Sequence, residues 1–389
     1  MHSRTLRAPI TEDLRQKMVF LAGPRQVGKT TLAKQILAEA GSGAYFSWDN
    51  REDRRLVLSA SWPPPPALVV LNEFHKYRPW KRWLKGEYDK HRDEYRFLVT
   101  GSARLDVYRR GGDSLQGRYH HYRLHPFTLS ELEGRVPKLS PLERLPLGKA
   151  AASRDAVDAL LRFGGFPEPL FAARDRAHRR WSKERIERFF REDVRDLENV
   201  HDLSSMQLLS DLLPERVGAP LSLESLRRDL DVSHRAVTRW MSILERLYFV
   251  FRVPPYTART FRGLRKQPKA YLWDHSLVAA PAARFENFVA SHLLRLCHFL
   301  EDTEGTRADL HYIRDPGKRE VDFLVTIDRR PWFAVEAKLG DASPSPHLRY
   351  FGSRLGIPHL YQVVLEPTRE LVRDGIHVLQ VARLLAALP

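Results

Sequence analysis

The sequence predicts a multidomain α/β protein: a parallel-sheet domain, a helical region, a helix–turn–helix with a wing, and a second α/β domain. Three observations carry this. Short apolar runs alternate with amphipathic segments through residue 130. A glycine-rich loop follows the first of those runs. Strands rich in β-branched and aromatic residues return after residue 257. The expected boundaries are 1–130, 131–205 (a helical lid region), 206–256 and 257–389.

Composition narrows the function. A chain of 389 residues exceeds one ordinary core and calls for several domains. With 43% hydrophobic and 29% charged residues it reads as folded rather than disordered. Lys and Arg number 64 against 48 Asp and Glu, a net charge of +16, which points to a polyanion partner, DNA first. Cys297 is the only cysteine, so an intrachain disulfide framework and a multi-cysteine zinc site are excluded. It lies in the apolar run 293–297 and is expected to be buried. No apolar stretch is long enough to span a membrane, and 1–17 lacks the apolar middle of a signal peptide. A cytoplasmic protein without a membrane partner is expected.

The runs 18–22, 67–71 and 96–100 are short and bounded by turn signals, as buried parallel strands are. The prolines 63–66 deliver the chain into the second of them. Between the first strand and a helix over 31–38 lies Gly23-Pro24-Arg25-Gln26-Val27-Gly28-Lys29-Thr30, continued by Thr31. This is G-x-x-x-x-G-K-[ST] in the strand–loop–helix context its chemistry needs. The glycines let backbone N–H groups converge on phosphate oxygens, and the helix N-terminus adds positive potential. Lys29 is expected to reach the β/γ phosphates and Thr30 to hold Mg²⁺, so ATP and Mg²⁺ are the expected cofactors.

The strand 67–71 leads to Asn72-Glu73 and a helix expected over 74–84. An acidic pair is expected there, the first residue holding Mg²⁺ through water and the second polarising the attacking water. Glu73 fits the second role. Asn72 accepts hydrogen bonds but brings no charge to Mg²⁺, so ATP binding should survive and hydrolysis should weaken. Thr100 and Ser102, at the tip of the third strand, are candidates for sensing the γ-phosphate. In the run 114–118, Arg118 is a candidate to stabilise transition-state charge, in cis or from a neighbouring subunit.

Residues 131–205 read as helical, with Phe189 and Phe190 as anchors of an amphipathic stretch over 179–199. Residues 222–230 make a short helix, 231–233 a turn, and Ser233 caps the next helix. There Val237, Trp240, Leu244 and Leu247 form a buried stripe. Arg235, Arg239, Ser242 and Arg246 form the opposite face, the layout of a recognition helix facing phosphates. The apolar run 248–253 suggests the wing of a winged helix, and the basic stretch 259–269 a linker.

The C-terminal strands 321–327, 332–339 and 359–365 carry Asp322 and then Glu336-Ala337-Lys338. A turn around Asp328, Arg329 and Arg330 makes positions equidistant from residue 329 face each other. Asp322 and Glu336 are such a pair, and Lys338 shares their face. Opposed carboxylates call for a cation between them, and two oxygen ligands beside a lysine suit Mg²⁺ and a water attacking a phosphodiester. Glu286 is a third candidate acid, and Glu320 shares the face of Asp322.

These features, in this order, resemble a widespread bacterial and archaeal ATPase family. Its members join an N-terminal AAA-type P-loop domain to a winged helix and a C-terminal domain of unknown function related to restriction endonucleases. The resemblance rests on GPRQVGKTT, NEFHK, TGS, SLQGR, GGFPEP, PKAYLWD, FENFV and EVDFLV with VEAKLG. It implies ATPase activity through Lys29, Thr30 and Glu73. It also implies a nuclease-like set of Asp322, Glu336 and Lys338, and homo-oligomers as many AAA-type ATPases form. Asn72 departs from the pattern. Two functions stand: an ATP-hydrolysing DNA-processing enzyme, or a nucleotide-dependent switch that binds DNA or a protein through the winged helix with an inactive nuclease-like domain.

Overall fold

The structure is a computed structural model describing residues 2–101, 115–148, 153–194, 202–257, 267–340, 343–366 and 369–389. The chain forms two compact units, divided after His125.

The first unit contains α1 (Arg7–Asp13), β1 (Met18–Ala22), α2 (Lys29–Glu39), β2 (Gly43–Ser47), α3 (Arg51–Leu58), β3 (Ala67–Asn72), α4 (Trp80–His91), β4 (Tyr95–Thr100) and β5 (Tyr119–Arg123). Its five parallel strands run in the order β2-β3-β4-β1-β5. The three strands expected from the apolar runs all form, and each is buried on both faces. Because β4 is inserted between β1 and β3, Thr100 at its tip lies between the glycine-rich loop and Asn72.

The helix expected over 74–84 does not form as one piece. Glu73 adopts a left-handed conformation (φ 56°), and a 3-10 turn over Phe74–Lys76 follows it. The helix α4 begins only after Pro79, at Trp80. The left-handed residue turns the chain off the end of β3, and proline then sets the first helical turn.

The second unit begins with α5 (Leu129–Leu132), α6 (Arg154–Phe163), α7 (Pro167–Ala172) and α8 (Asp175–Arg188), which continues as a π-helical turn over Phe189–Val194. Phe189 and Phe190 are buried there as expected. The expected helical region is interrupted: 133–148 holds no helix. Pro137, Pro141 and Pro146 explain this, each removing a helix N–H and clashing with the preceding turn.

Next come α9 (Leu203–Leu212), α10 (Leu223–Leu230), α11 (His234–Arg246), β6 (Val250–Val253) and β7 (Lys269–Leu272). The side chains of Ser222 and Ser233 cap α10 and α11, accepting the N–H groups of Ser225 and Ala236. The stripe Val237, Trp240, Leu244 and Leu247 is buried. The strands β6 and β7 pair antiparallel. Most of the expected basic linker, 258–266, lies outside the described residues, but Lys269 does not belong to a linker: it is a buried strand residue paired with Val253.

The rest of the unit is α12 (Pro281–Glu304), β8 (Ala308–Arg314), β9 (Glu320–Ile327), β10 (Arg330–Lys338), α13 (Pro346–Leu355), β11 (His359–Val364), β12 (Leu371–Arg373), β13 (Ile376–Gln380) and α14 (Val381–Leu385). Six strands form one mixed sheet in the order β12-β13-β11-β10-β9-β8. Both α12 and α13 pack against its strands, and Cys297 is buried in α12.

The β9–β10 hairpin turns one position earlier than its charge pattern implies. Asp328 and Arg329 are both left-handed (φ 47° and 67°), so Ile327 pairs with Arg330. A bulge between Pro331 and Phe333 then inserts one residue, after which Phe333, Ala334 and Val335 face Val325, Leu324 and Phe323. Beyond that register, Asp322 Oδ2 accepts the N–H of Ala337, the neighbour of Glu336.

Candidate functional site: a phosphate loop and a buried acidic cluster

The loop after β1 is shaped by its backbone. Gly23 (φ 146°) lies against Leu124, whose carbonyl oxygen would be 2.5 Å from a Cβ there, so only glycine fits. Gln26 and Gly28 are both left-handed, and Gly28 caps α2. Successive N–H groups of such a turn converge on one point, at the positive end of α2. Lys29 is buried, its ammonium donating to the carbonyls of Gly23 (2.9 Å) and Pro24 (2.7 Å). Thr30 and Thr31 are exposed in the first turn of α2. The loop therefore fits a nucleotide phosphate with its Mg²⁺: an anchored lysine, an accessible threonine hydroxyl and a cradle of N–H groups.

Asn72 stands at the matching position on β3. Its Oδ1 accepts from Thr100 Oγ1 (2.7 Å) and, more weakly, from Thr30 Oγ1 (3.4 Å). The loop and the strand end are thus joined through an amide where the motif usually has a carboxylate. Glu73 Oε2 lies 3.6 Å from His75 Nε2 and 3.7 Å from Lys76 Nζ, and Lys76 also bridges to Asp49. The left-handed Glu73 is a strained residue of the kind found at functional sites.

Two further expectations on this unit meet different outcomes. Ser102 lies outside the described residues. Arg118 is a correction for the cis role. It precedes β5, whose Tyr119 pairs with Met18 at the start of β1, whereas the phosphate loop leaves the other end of that strand. There Arg118 forms a two-pronged ion pair with Asp89 of α4 (2.6 and 3.0 Å). A strand length separates it from the loop.

In the second unit Arg235, Arg239 and Arg246 all lie on the exposed side of α11. On α10, Arg227 and Arg228 both bind Glu224.

Of the residues expected to form a nuclease-like set, Asp322 gathers with Glu286 and Glu320 around Lys269, a residue outside that set, and Glu336 pairs with Lys338. Lys269 Nζ lies 3.0 Å from Glu286 Oε1, 2.7 Å from Glu320 Oε1 and 3.9 Å from Asp322 Oδ1, and is 1% exposed. Tyr271 donates its hydroxyl hydrogen to the same Glu286 oxygen (2.6 Å). Asp322 Oδ2 accepts the N–H of Ala337 (2.9 Å), Arg314 bridges to Glu320 (3.0 Å), and Lys338 lies 2.8 Å from Glu336. A cation does lie among the carboxylates, but it is an ammonium, and it sits between Glu286, Glu320 and Asp322 rather than between Asp322 and Glu336. Among the described residues no group of three or more His, Cys, Asp or Glu is arranged to hold a metal ion. The metal expected on Glu286, Asp322 and Glu336 therefore does not fit these side chains as they stand. The signal available in the sequence was the alternation of 269–272, which sets Lys269 and Tyr271 on one face of an otherwise apolar strand.

Burial dominates the electrostatics. It pushes Glu286 and Glu336 up to about 7, reinforced for both by the charge of Asp322. Asp322 is raised too, burial outweighing Lys269. For Lys269 burial acts downward, but Glu286, Asp322 and Glu320 together outweigh it and hold the amine protonated.

Three sequence profiles cover most of the chain. Residues 15–133 match an AAA domain, 154–287 a domain of unknown function (DUF8612) and 282–384 a second domain of unknown function (DUF4143). An uncharacterized protein of Mycobacterium tuberculosis is 25% identical over 339 residues, covering 82% of this chain and 69% of that one. An uncharacterized protein of Methanocaldococcus jannaschii is 24% identical over 387 residues, covering 87% and 79%. Among solved structures, a Walker-type ATPase of Pyrococcus abyssi aligns with a TM-score of 0.43 at 14% identity, covering 73% of this chain and 96% of that one. An Aeropyrum pernix ORC1 protein, solved in complex with DNA, aligns with a TM-score of 0.34 at 14% identity, covering 76% and 94%. No helix among the described residues is long and apolar enough to cross a membrane. The sheet order, the phosphate loop after its first strand and the profile match agree: the N-terminal unit has a P-loop architecture, and its residues 15–133 match an AAA domain.

Proposed function

We propose that the chain is an ATP-binding DNA-processing protein that turns ATP over slowly and holds DNA through its second unit. The preformed phosphate cradle carries the first part, with Lys29 anchored, Thr30 accessible and Asn72 joined to Thr100. Thr30 and Asn72 are the residues that would hold Mg²⁺, which when bound would supply positive charge to the phosphates, and Glu73 would polarise the attacking water. Asn72 makes the domain a better holder of ATP than a hydrolase. The DNA part is supported by the net charge of +16 and by a helix–turn–helix whose second helix exposes Arg235, Arg239 and Arg246.

The test is DNA affinity against salt. Arg235→Ala and Arg239→Ala are each expected to lower the slope of log affinity against log salt by about one. A flat wild-type response would assign this helix to a protein partner. A second reading, metal-dependent DNA cutting, is favoured by Asp322 accepting the N–H of Ala337 beside Glu336 and by Lys338 at 2.8 Å from Glu336.

A further inference from the structure

We infer that Lys269 is a tethered cation taking the place of a metal ion in the acidic cluster, so that Glu286, Glu320 and Asp322 bind an ammonium and exclude a divalent cation. The inference deepens the proposed function: it rests on the reading of the second unit as a nuclease-like module that grips DNA.

Carboxylates from α12 and β9 converge on one point, as they would on a hard cation, and Lys269 Nζ occupies that point. Its position is not that of a loose surface lysine. The backbone of Lys269 is locked into β7 opposite Val253, and its ammonium is buried with the Tyr312 ring 5.6 Å away. Tyr271, next on the same strand face, fixes Glu286 from the other side. Gly218 makes room for that carboxylate: a Cβ there would sit 2.8 Å from Glu286 Oε2. An ammonium has three donors and no lone pair, so it satisfies carboxylate oxygens but cannot share the point with Mg²⁺, which demands close oxygen ligands on all sides.

Three carboxyl groups, Glu286, Glu320 and Asp322, face the single ammonium of Lys269, with Arg314 bound to Glu320 at the edge. Glu320, which a D…E-x-K signature leaves out, becomes a member of the cluster because it makes the shortest contact with Lys269.

The experiment is Mn²⁺ binding by the nucleotide-free full chain, read by electron paramagnetic resonance, with DNA affinity in EDTA measured separately. Wild type is expected to show no tight Mn²⁺ site in this cluster. Lys269→Met is expected to gain one Mn²⁺ per chain, lost again when Asp322→Asn is added, and its melting temperature should rise on adding Mn²⁺. Lys269→Arg keeps the charge and is expected to stay metal-free. A tight wild-type site abolished by Asp322→Asn would overturn the inference, and needs no variant at Lys269 that folds. A folded Lys269→Met chain that gains no Mn²⁺ would overturn it equally. DNA affinity in EDTA reads the gripping function itself: its absence defeats that function and leaves the Mn²⁺ result standing.

Discussion

Lys29→Ala is expected to lower ATP affinity by about 100-fold or more while the fold persists. The ammonium is a full positive charge built into the floor of the loop, where it donates to the carbonyls of Gly23 and Pro24. Those carbonyls belong to a turn fixed by Gly23 and Gly28, not by the lysine. Truncation therefore removes charge from a cradle that remains standing. Equilibrium binding of a fluorescent ATP analogue, with circular dichroism as the fold control, measures this. Unchanged affinity in the variant would refute the assignment of the loop.

Asn72→Asp is expected to raise ATP turnover about tenfold or more, a barrier change of about 1.4 kcal/mol. The replacement is isosteric, and the oxygen that accepts from Thr100 and Thr30 is retained. What changes is one formal charge facing the position of Mg²⁺, where charge stabilises the metal far better than an amide dipole does. Steady-state phosphate release by the two forms decides the matter. Equal turnover would mean that Thr30 and the phosphate oxygens hold the metal without help from residue 72.

Local features were legible in the sequence. Apolar runs bounded by turn signals marked β1, β3 and β4, and serines at 222 and 233 marked the starts of α10 and α11, because strand burial and helix capping are decided within a few residues. The register of the β9–β10 hairpin was also legible, though the turn was misplaced by one position; the bulge before Phe333 restores it over Phe333 to Val335. Features set by distant partners were not. Whether Arg118 lies near the phosphates depends on the parallel register of β5 with β1, which no local pattern encodes. Lys269 reads as one more basic residue after Arg259 until β7 is paired with β6 and its ammonium meets Glu286 and Glu320. The left-handed Glu73 carries no glycine to announce it. The break in the helical region was announced, by three prolines between 133 and 148.

The measurement closest to the central claim incubates the full chain with ATP, Mg²⁺ or Mn²⁺, and a panel of branched, linear and single-stranded DNAs, scoring binding and cutting together. The account predicts binding that weakens about tenfold or more between low and physiological salt, through release of counterions from the phosphates, with every DNA left intact. Metal-dependent cutting by wild type that disappears in Asp322→Ala would contradict it.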